Sequence, residues 1–353
     1  MWRALALAGL ILAAEAAVAE AGGGHAVTFM YHRFGESDYS ATNVTLEQFR
    51  AHLDYLDEKD YNVWPLRRIV EHVDNGEPLP ERTVAITIDD AYRSVYEEAY
   101  PLLEDKGFPY TVFVATEPVD IGLSGYMTWD QMREMQQDGN ATFANHTASH
   151  DYLVRRGEDE SDAAYRERLR DDITKARERL EDELGSEGTI PDLFAYPYGE
   201  YNRTVAEVVR ELGYVGVGQH SGAIGRHSDL RALPRYPMAE MYADMEGFRE
   251  KARTLALPVT ELEPWDPVAA NKSNPPRLRV TLAESDARLD QLACFVGLQG
   301  QVDVEWVDRD ARIFEVQPPE ALSEGRTRYN CTAPSPERGR FYWFSQQWVI
   351  LPD

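Results

Sequence analysis

From His25 to about Ala256, short apolar runs alternate with stretches in which apolar residues recur every three or four positions. The first pattern predicts buried strands and the second amphipathic helices. Ala26–Tyr31, Thr83–Asp89, Tyr110–Thr116, Ala141–His146, Leu193–Pro197 and Tyr214–Gln219 read as strands, with a last short one near Arg231–Tyr236. Between them, Leu46, Phe49, Leu53 and Leu56 mark a helix opened by the capping box Thr45–Gln48. Val95–Lys106 reads as a helix stopped by Gly107, and a second capping box, Thr128 with Gln131, opens a helix that ends at Gly139. Asp159–Leu184 is a long charged helix, Asn202–Leu212 a shorter one, and another runs from Tyr242 to about Thr254. About seven strand–helix units result. Strands separated by helices pair in parallel through right-handed crossovers. A closed or nearly closed α/β barrel with fewer than eight units is the simplest architecture, and an open doubly wound sheet is the alternative.

The pattern changes beyond Pro258. A Pro-rich linker over 257–276 (Pro258, Pro264, Pro267, Pro275, Pro276) leads into segments that alternate with period two, such as Leu278–Leu282, Val302–Val307 and Ile313–Val316. The chain closes on the aromatic-rich stretch Phe341–Leu351, so 277–353 reads as a smaller antiparallel β domain. The terminal aromatics are either its core or a sugar platform. The two cysteines, Cys294 and Cys331, both fall here, either as a disulfide or as two buried thiols.

At the other end, Met1–Trp2–Arg3 precedes an apolar run from Ala4 to Ala14, then small residues ending Ala17-Val18-Ala19 or Ala19-Glu20-Ala21. That is the layout of a secretory signal over 1–21, which predicts an exported protein, periplasmic or secreted. The run is shorter than the roughly 20 residues of a spanning helix. No later segment is long and apolar enough to cross a membrane. A chain of 353 residues with 43% hydrophobic residues can bury two cores. Its net charge of −25 repels phosphate backbones, which argues against a nucleic-acid partner. Lysine occurs at only five positions (59, 106, 175, 251 and 272), and an acidic, lysine-poor surface fits a salty milieu.

In a parallel α/β barrel, function gathers at the carboxyl ends of strands. Several ends here carry groups suited to a metal. The strand TVAITI runs into Asp89-Asp90, and ATFAN runs into His146-Thr147-Ala148-Ser149-His150. The first strand ends in Tyr31-His32, and LFAYP ends in a turn, Tyr196-Pro197-Tyr198-Gly199, able to present a backbone N–H. Two histidines and one carboxylate make a metal site with open positions for water and substrate. A second carboxylate beside it takes the proton from that water. Neighbours in an extended segment point to opposite sides, so one aspartate would face the metal and the other the water.

Thr87-Ile88-Asp89-Asp90-Ala91, His146-Thr147-Ala148-Ser149-His150 and Phe194-Ala195-Tyr196-Pro197-Tyr198-Gly199, in this order, resemble the first three motifs of the polysaccharide deacetylases, the NodB-homology group of carbohydrate esterase family 4. Met30-Tyr31-His32-Arg33 and Tyr196–Asn202 look like the branch that includes the periplasmic poly-β-1,6-N-acetylglucosamine deacetylases. The resemblance covers about residues 25–250. It implies a distorted (β/α)7 barrel and hydrolysis of acetyl groups on a polysaccharide. It also implies Asp90, His146 and His150 as ligands of a divalent metal, Zn²⁺ with Co²⁺ or Ni²⁺ as alternatives. Asp89 is then the general base, the Tyr198 N–H part of the oxyanion hole, and Ser149 a support of the ligand loop. Tyr126, Trp129 and Tyr201 are candidates for stacking on sugar rings.

Three positions depart from that pattern. The glycine of the first motif is Ala91, and the arginine that opens the third motif is replaced by Ala195. That arginine orients the base, and Arg235 in Leu233-Pro234-Arg235 is the candidate to replace it. The late Leu-x-His motif that supplies the acid is absent; His32 is nominated instead, protonated beside the carboxylates, with His220 as rival. The sequence does not separate N-acetyl from O-acetyl (xylan-type) substrates. A third reading is a non-catalytic glycan-binding protein whose site has decayed. A surface of −25 favours a neutral acetylated polymer over an acidic one.

Overall fold

A computed structural model describes residues 24–185, 190–269 and 273–352. The proposed signal segment lies outside the described residues. The centre of the molecule is a curled, mostly parallel sheet built from β1 (Ala26–Tyr31), β2 (Thr83–Asp89), β3 (Tyr110–Val114), β4 (Ala141–Asn145), β5 (Leu193–Ala195) and β6 (Val215–Val217), adjacent in that order. Short strands β7 (Ala223–Ile224) and β8 (Tyr236–Pro237) both pair with β1, the first antiparallel and the second parallel. The sheet curls through a half-barrel, and β6 makes no ladder with β1. Residues 230–237 span that gap, with Leu233 beside Val217 on β6 and Tyr236 beside Phe29 on β1.

Period-two alternation sorts the strands' side chains. On β2, Val84, Ile86 and Ile88 join the apolar layer beneath the outer helices, while Ala85, Thr87 and Asp89 have the opposite parity. Ala85 shares its interior cluster with Phe113, Ala144, Ala195, Val217 and Leu233. Asp89 is the last residue of its strand, so alternation places it inside the curl at the carboxyl end.

The helices follow the sequence closely. Both capping boxes form, at Thr45 and at Thr128. The long helix, α1, runs Asp162–Leu184 from an Ser161 cap and buries Leu169, Ile173, Ala176 and Leu180 along one side. The expected helix Val95–Lys106 opens as a wider π turn over Val95–Ala99 before becoming α-helical at Tyr100. Among the described residues no helix is long and apolar enough to cross a membrane.

Past the barrel come two sheets. The larger takes β9 (Leu255–Ala256), β11 (Val268–Ala269), β13 (Ala293–Val296), β14 (Gly300–Val302), β17 (Gly325–Pro334) and β18 (Phe341–Ile350). The smaller takes β10 (Val259–Glu263), β12 (Leu278–Leu282), β15 (Val304–Asp308) and β16 (Ile313–Val316). The proline-rich stretch 257–276 therefore carries β10 and β11. Leu278, Val280, Phe314, Tyr329 and Trp348 fill the core between the sheets, with Cys294 bonded to Cys331 across β13 and β17. Trp348 is thus core, while β9 pairs in parallel with β18, so the chain leaving the barrel enters the larger sheet at once.

Candidate active site

Four strand ends and one loop converge on the site. Asp89 is fully buried and held in a two-pronged ion pair, with Arg235 Nη1 donating to Oδ1 at 2.7 Å and Nη2 to Oδ2 at 2.8 Å. Arg235 comes from the segment that spans the open seam; its Nε donates to the Gly218 carbonyl at 2.9 Å and its backbone N–H to the His220 carbonyl. The candidate named from the sequence is therefore the partner of Asp89. Burial pushes the Asp89 carboxyl up, but the Arg235 charge and its hydrogen bonds outweigh it and hold it below the usual carboxylate range.

Asp90 leaves the strand at once. Its φ of +76° and that of Ala91, +57°, turn the chain through the left-handed region. The two carboxylates are parted by this turn, not by strand alternation as expected. Non-glycine residues rarely adopt such angles, yet Thr147 (+66°), His150 (+59°) and Tyr198 (+58°) do so in the other motifs. Strain of this kind, about 1–3 kcal/mol per residue, persists where surrounding structure imposes it, and it clusters at functional sites.

The turned Asp90 brings Oδ1 to 3.2 Å from His146 Nε2 and 3.1 Å from His150 Nε2. His146 Nδ1 lies 2.7 Å from the Ala195 carbonyl, which can only accept; the ring therefore carries its proton on Nδ1 and offers the Nε2 lone pair. Asp90 Oδ1 and His146 Nε2 are both buried without an aligned hydrogen-bond partner. Buried polar atoms are otherwise satisfied, and a cation between these three residues would satisfy them. Asp90, His146 and His150 are a group able to hold a metal ion, as the donor set of one carboxylate and two imidazoles requires.

Surrounding groups fix this cluster. Asp172 on α1 accepts from the backbone N–H of Ala148 and of Ser149 and from Ser149 Oγ, so the loop between the histidines is bound to the long helix. Ser149 supports the loop as expected, but Asp172 was missed; its only sequence signal is its place beside the buried stripe Leu169–Ile173–Ala176. Tyr198 packs its ring on Tyr152, 3.8 Å between centroids and nearly parallel, and edge-on to His150. Tyr92, also missed, stacks under the Arg33 guanidinium and tilts against Tyr126, which brings Tyr126 to the rim near Asp90.

The two histidine candidates separate cleanly. His32 follows β1 with Nε2 3.9 Å from Asp89 Oδ2 and 13% of its side chain exposed. Burial pulls its imidazole below the ordinary value, over the opposing charges of Asp90 and Asp89. Burial thus works against the protonated ring that the resemblance implies for His32. His220 lies on the far side of Arg235, where burial and the charges of Arg328 and Arg235 depress it to about 3. It lines a cavity of about 690 Å³ between barrel and C-terminal sheets that none of Asp89, Asp90, His146, His150 or Tyr198 touches.

One sugar-stacking candidate is corrected, and another, half-buried Trp129, is placed beside an ion pair. Tyr201 is only 4% exposed and packs against Tyr196 and Trp265, because the turn after Gly199 carries it inward. Trp129 donates its indole N–H to Asp120 at 2.9 Å, within the Asp120–Arg179 ion pair at the start of its helix.

Residues 76–217 match the polysaccharide deacetylase family. Over these residues the chain has a polysaccharide deacetylase domain. All three motifs fall inside the matched residues, whereas His32 and Arg235 lie outside them. The domain is similar to the poly-β-1,6-N-acetyl-D-glucosamine N-deacetylase of Escherichia coli K12, 26% identical over 235 residues, 58% of this chain and 34% of the relative. The chain thus spans about a third of that relative's length. It is also similar to the enzyme of that name from Staphylococcus aureus, 25% identical over 238 residues, 64% of this chain and 79% of the relative. Among solved structures, the Streptococcus pyogenes deacetylase PplD aligns with a TM-score of 0.57 at 22% identity, over 65% of this chain and 99% of that one. IcaB from Ammonifex degensii aligns with a TM-score of 0.56 at 24% identity, over 65% and 98%. These likenesses concern the deacetylase domain's half-barrel fold.

Proposed function

We propose that the protein removes N-acetyl groups from an amino-sugar polysaccharide outside the cytoplasm. The observation that carries this reading is the cluster of Asp90, His146 and His150 beside an Arg235-clamped Asp89, within a domain of the deacetylase family. Asp90, His146 and His150 would hold a divalent cation, Zn²⁺ first, with Co²⁺ or Ni²⁺ as alternatives. Such a cation supplies Lewis acidity, acidifying water and polarising the acetyl carbonyl.

The remaining steps belong to the chain. Asp89 accepts the proton of the attacking water, and Arg235 holds the carboxylate still while it does so. The Tyr198 N–H donates to the acetyl oxygen as negative charge develops there. Burial disfavours a resting charge on His32, so its extra proton is taken up during the reaction. Asp89 Oδ2, 3.9 Å from His32 Nε2, is the nearest source through one bridging water, and His32 passes the proton to the departing amine. Tyr126 at the rim offers a ring face to the sugar. Export is supported by the N-terminal signal pattern and by the Cys294–Cys331 disulfide, which suits an oxidising compartment.

The test is acetate release from N-acetylglucosamine oligomers and from O-acetylated xylan, each with Zn²⁺, Co²⁺ and Ni²⁺. N-deacetylation above ester cleavage is expected. Xylan as the better substrate would move the protein to the esterase reading, and glycan binding without acetate under every metal would remove the enzyme reading.

A further inference from the structure

Three polar side chains of the C-terminal sheet reach into the barrel, and all three end on backbone carbonyls around one turn. Arg326 donates to the Tyr198 carbonyl, Gln347 Nε2 to the Gly199 carbonyl at 2.6 Å, and Arg328 Nη2 to the Gln219 carbonyl at 2.7 Å. Arg326 also lies 3.6 Å from Glu200, a buried carboxylate at the end of the same turn. The strand pattern explains the convergence. Arg326 and Arg328 stand two apart on β17, and Arg328 is opposite Gln347 on β18, so all three occupy one face of the sheet. Tyr329, Cys331 and Trp348 occupy the other face and fill the C-terminal core.

The turn they touch has the β5–β6 ladder and the Tyr198–Tyr152 ring stack behind it, but little strand support on the β4 side. β5 is three residues long and its ladder with β4 is the single pair Asn145–Phe194. Tyr198 follows it with a φ of +58°, an angle that a tyrosine does not hold by preference. Gly199, at +70°, sits so close to Gln219 that an added Cβ would approach its side chain to 2.5 Å. Anchoring the Tyr198 carbonyl therefore restricts the direction of the same residue's N–H, because only that residue's own φ and ψ lie between the two.

We propose that Arg326 and Gln347 are positioning residues that lock the Tyr198 turn, making the C-terminal sheet a working part of the deacetylase site. The proposal rests on the reading of the Tyr198 N–H as an oxyanion donor. Its failure is distinguishable from that reading's failure, because the state of the turn can be measured without substrate.

Hydrogen exchange of the peptide containing residues 196–201 and steady-state kinetics are compared in the full chain, in Arg326→Ala, Arg326→Lys and Gln347→Ala. Arg326 is 39% exposed, so its variants keep the fold if Gln347→Ala does not. The expected result is at least tenfold faster exchange at Tyr198–Glu200, with exchange in β4 unchanged. A kcat at least tenfold lower at near-parental KM and metal content is expected, with partial recovery in Arg326→Lys. Faster exchange in the variants of a parent that releases no acetate would leave the lock standing and overturn the deacetylase reading. Unchanged exchange, or faster exchange with unchanged kcat, would overturn the proposal.

Discussion

Asp89 and Asp90 are neighbours in sequence and opposites in environment. Asp89 is fixed by two hydrogen bonds from a fully buried arginine, whereas Asp90 faces two imidazole nitrogens and leaves one oxygen unsatisfied. The account assigns proton transfer to the first and cation binding to the second, and the roles come apart on substitution. Asp89→Asn should retain bound metal and lose turnover by about 10²-fold or more, the scale of a missing general base. His146→Ala should lose the metal itself, read by elemental analysis of the purified protein; parental metal and activity in that variant would remove the assignment. For the acid, His32→Ala should lower kcat far more than His220→Ala, because only His32 lies within a proton's reach of Asp89. The reverse ranking would transfer the role to His220.

At the scale of elements, legibility followed the range of the interactions. Strands, helices and both capping boxes were readable because alternation, helical spacing and caps act over a few residues. The motif residues were readable because each lies at the end of a strand or within five residues after it. The partner of Asp89 was nameable but not placeable, since Arg235 reaches it only through a loop that bridges the open seam between β6 and β1. Tyr201 misled because nothing local says that the following turn points it inward. Ala91 and Asp90 hold left-handed angles that their residue types do not announce. The resting charge of His32 depended on burial, which no sequence pattern encodes.

Another buried histidine makes a prediction about an element junction. His52 joins the helix Leu46–Glu58 to β1 and to the loop before Met245, taking the Tyr31 hydroxyl on Nδ1 and bonding the Ala243 carbonyl through Nε2. Burial depresses its pKa to about 4. The unfolded chain would bind a proton near pH 6.5 and the folded one only near 4, so this residue's contribution is full above 6.5 and falls as pH drops through that window. The loss is on the order of 3 kcal/mol by linkage. His52→Gln should flatten the dependence of stability on pH between 6.5 and 4 by about one proton, measured by urea unfolding at each pH. An unchanged slope would show that His52 does not set it.

At the scale of the molecule, two features act together. The C-terminal sheets are joined to the barrel through β9 and reach the Tyr198 turn through Arg326 and Gln347, so chemistry and architecture are not divided between the two regions. Under the proposed function, the net charge of −25 would govern how polymer comes and goes. A neutral acetylated chain is not repelled, and each acetyl removed leaves an ammonium that the acidic surface attracts. Glucosamine oligomers should therefore inhibit competitively at low salt and lose that inhibition as salt screens the surface. Inhibition independent of salt would mean that charge plays no part in product release. The most direct test of the central claim is acetate release from an N-acetylglucosamine oligomer by chelator-treated protein before and after Zn²⁺ is returned. The account predicts almost no release before and recovery near one Zn²⁺ per chain, with no recovery in His146→Ala; equal release by the chelated and reloaded protein would contradict it.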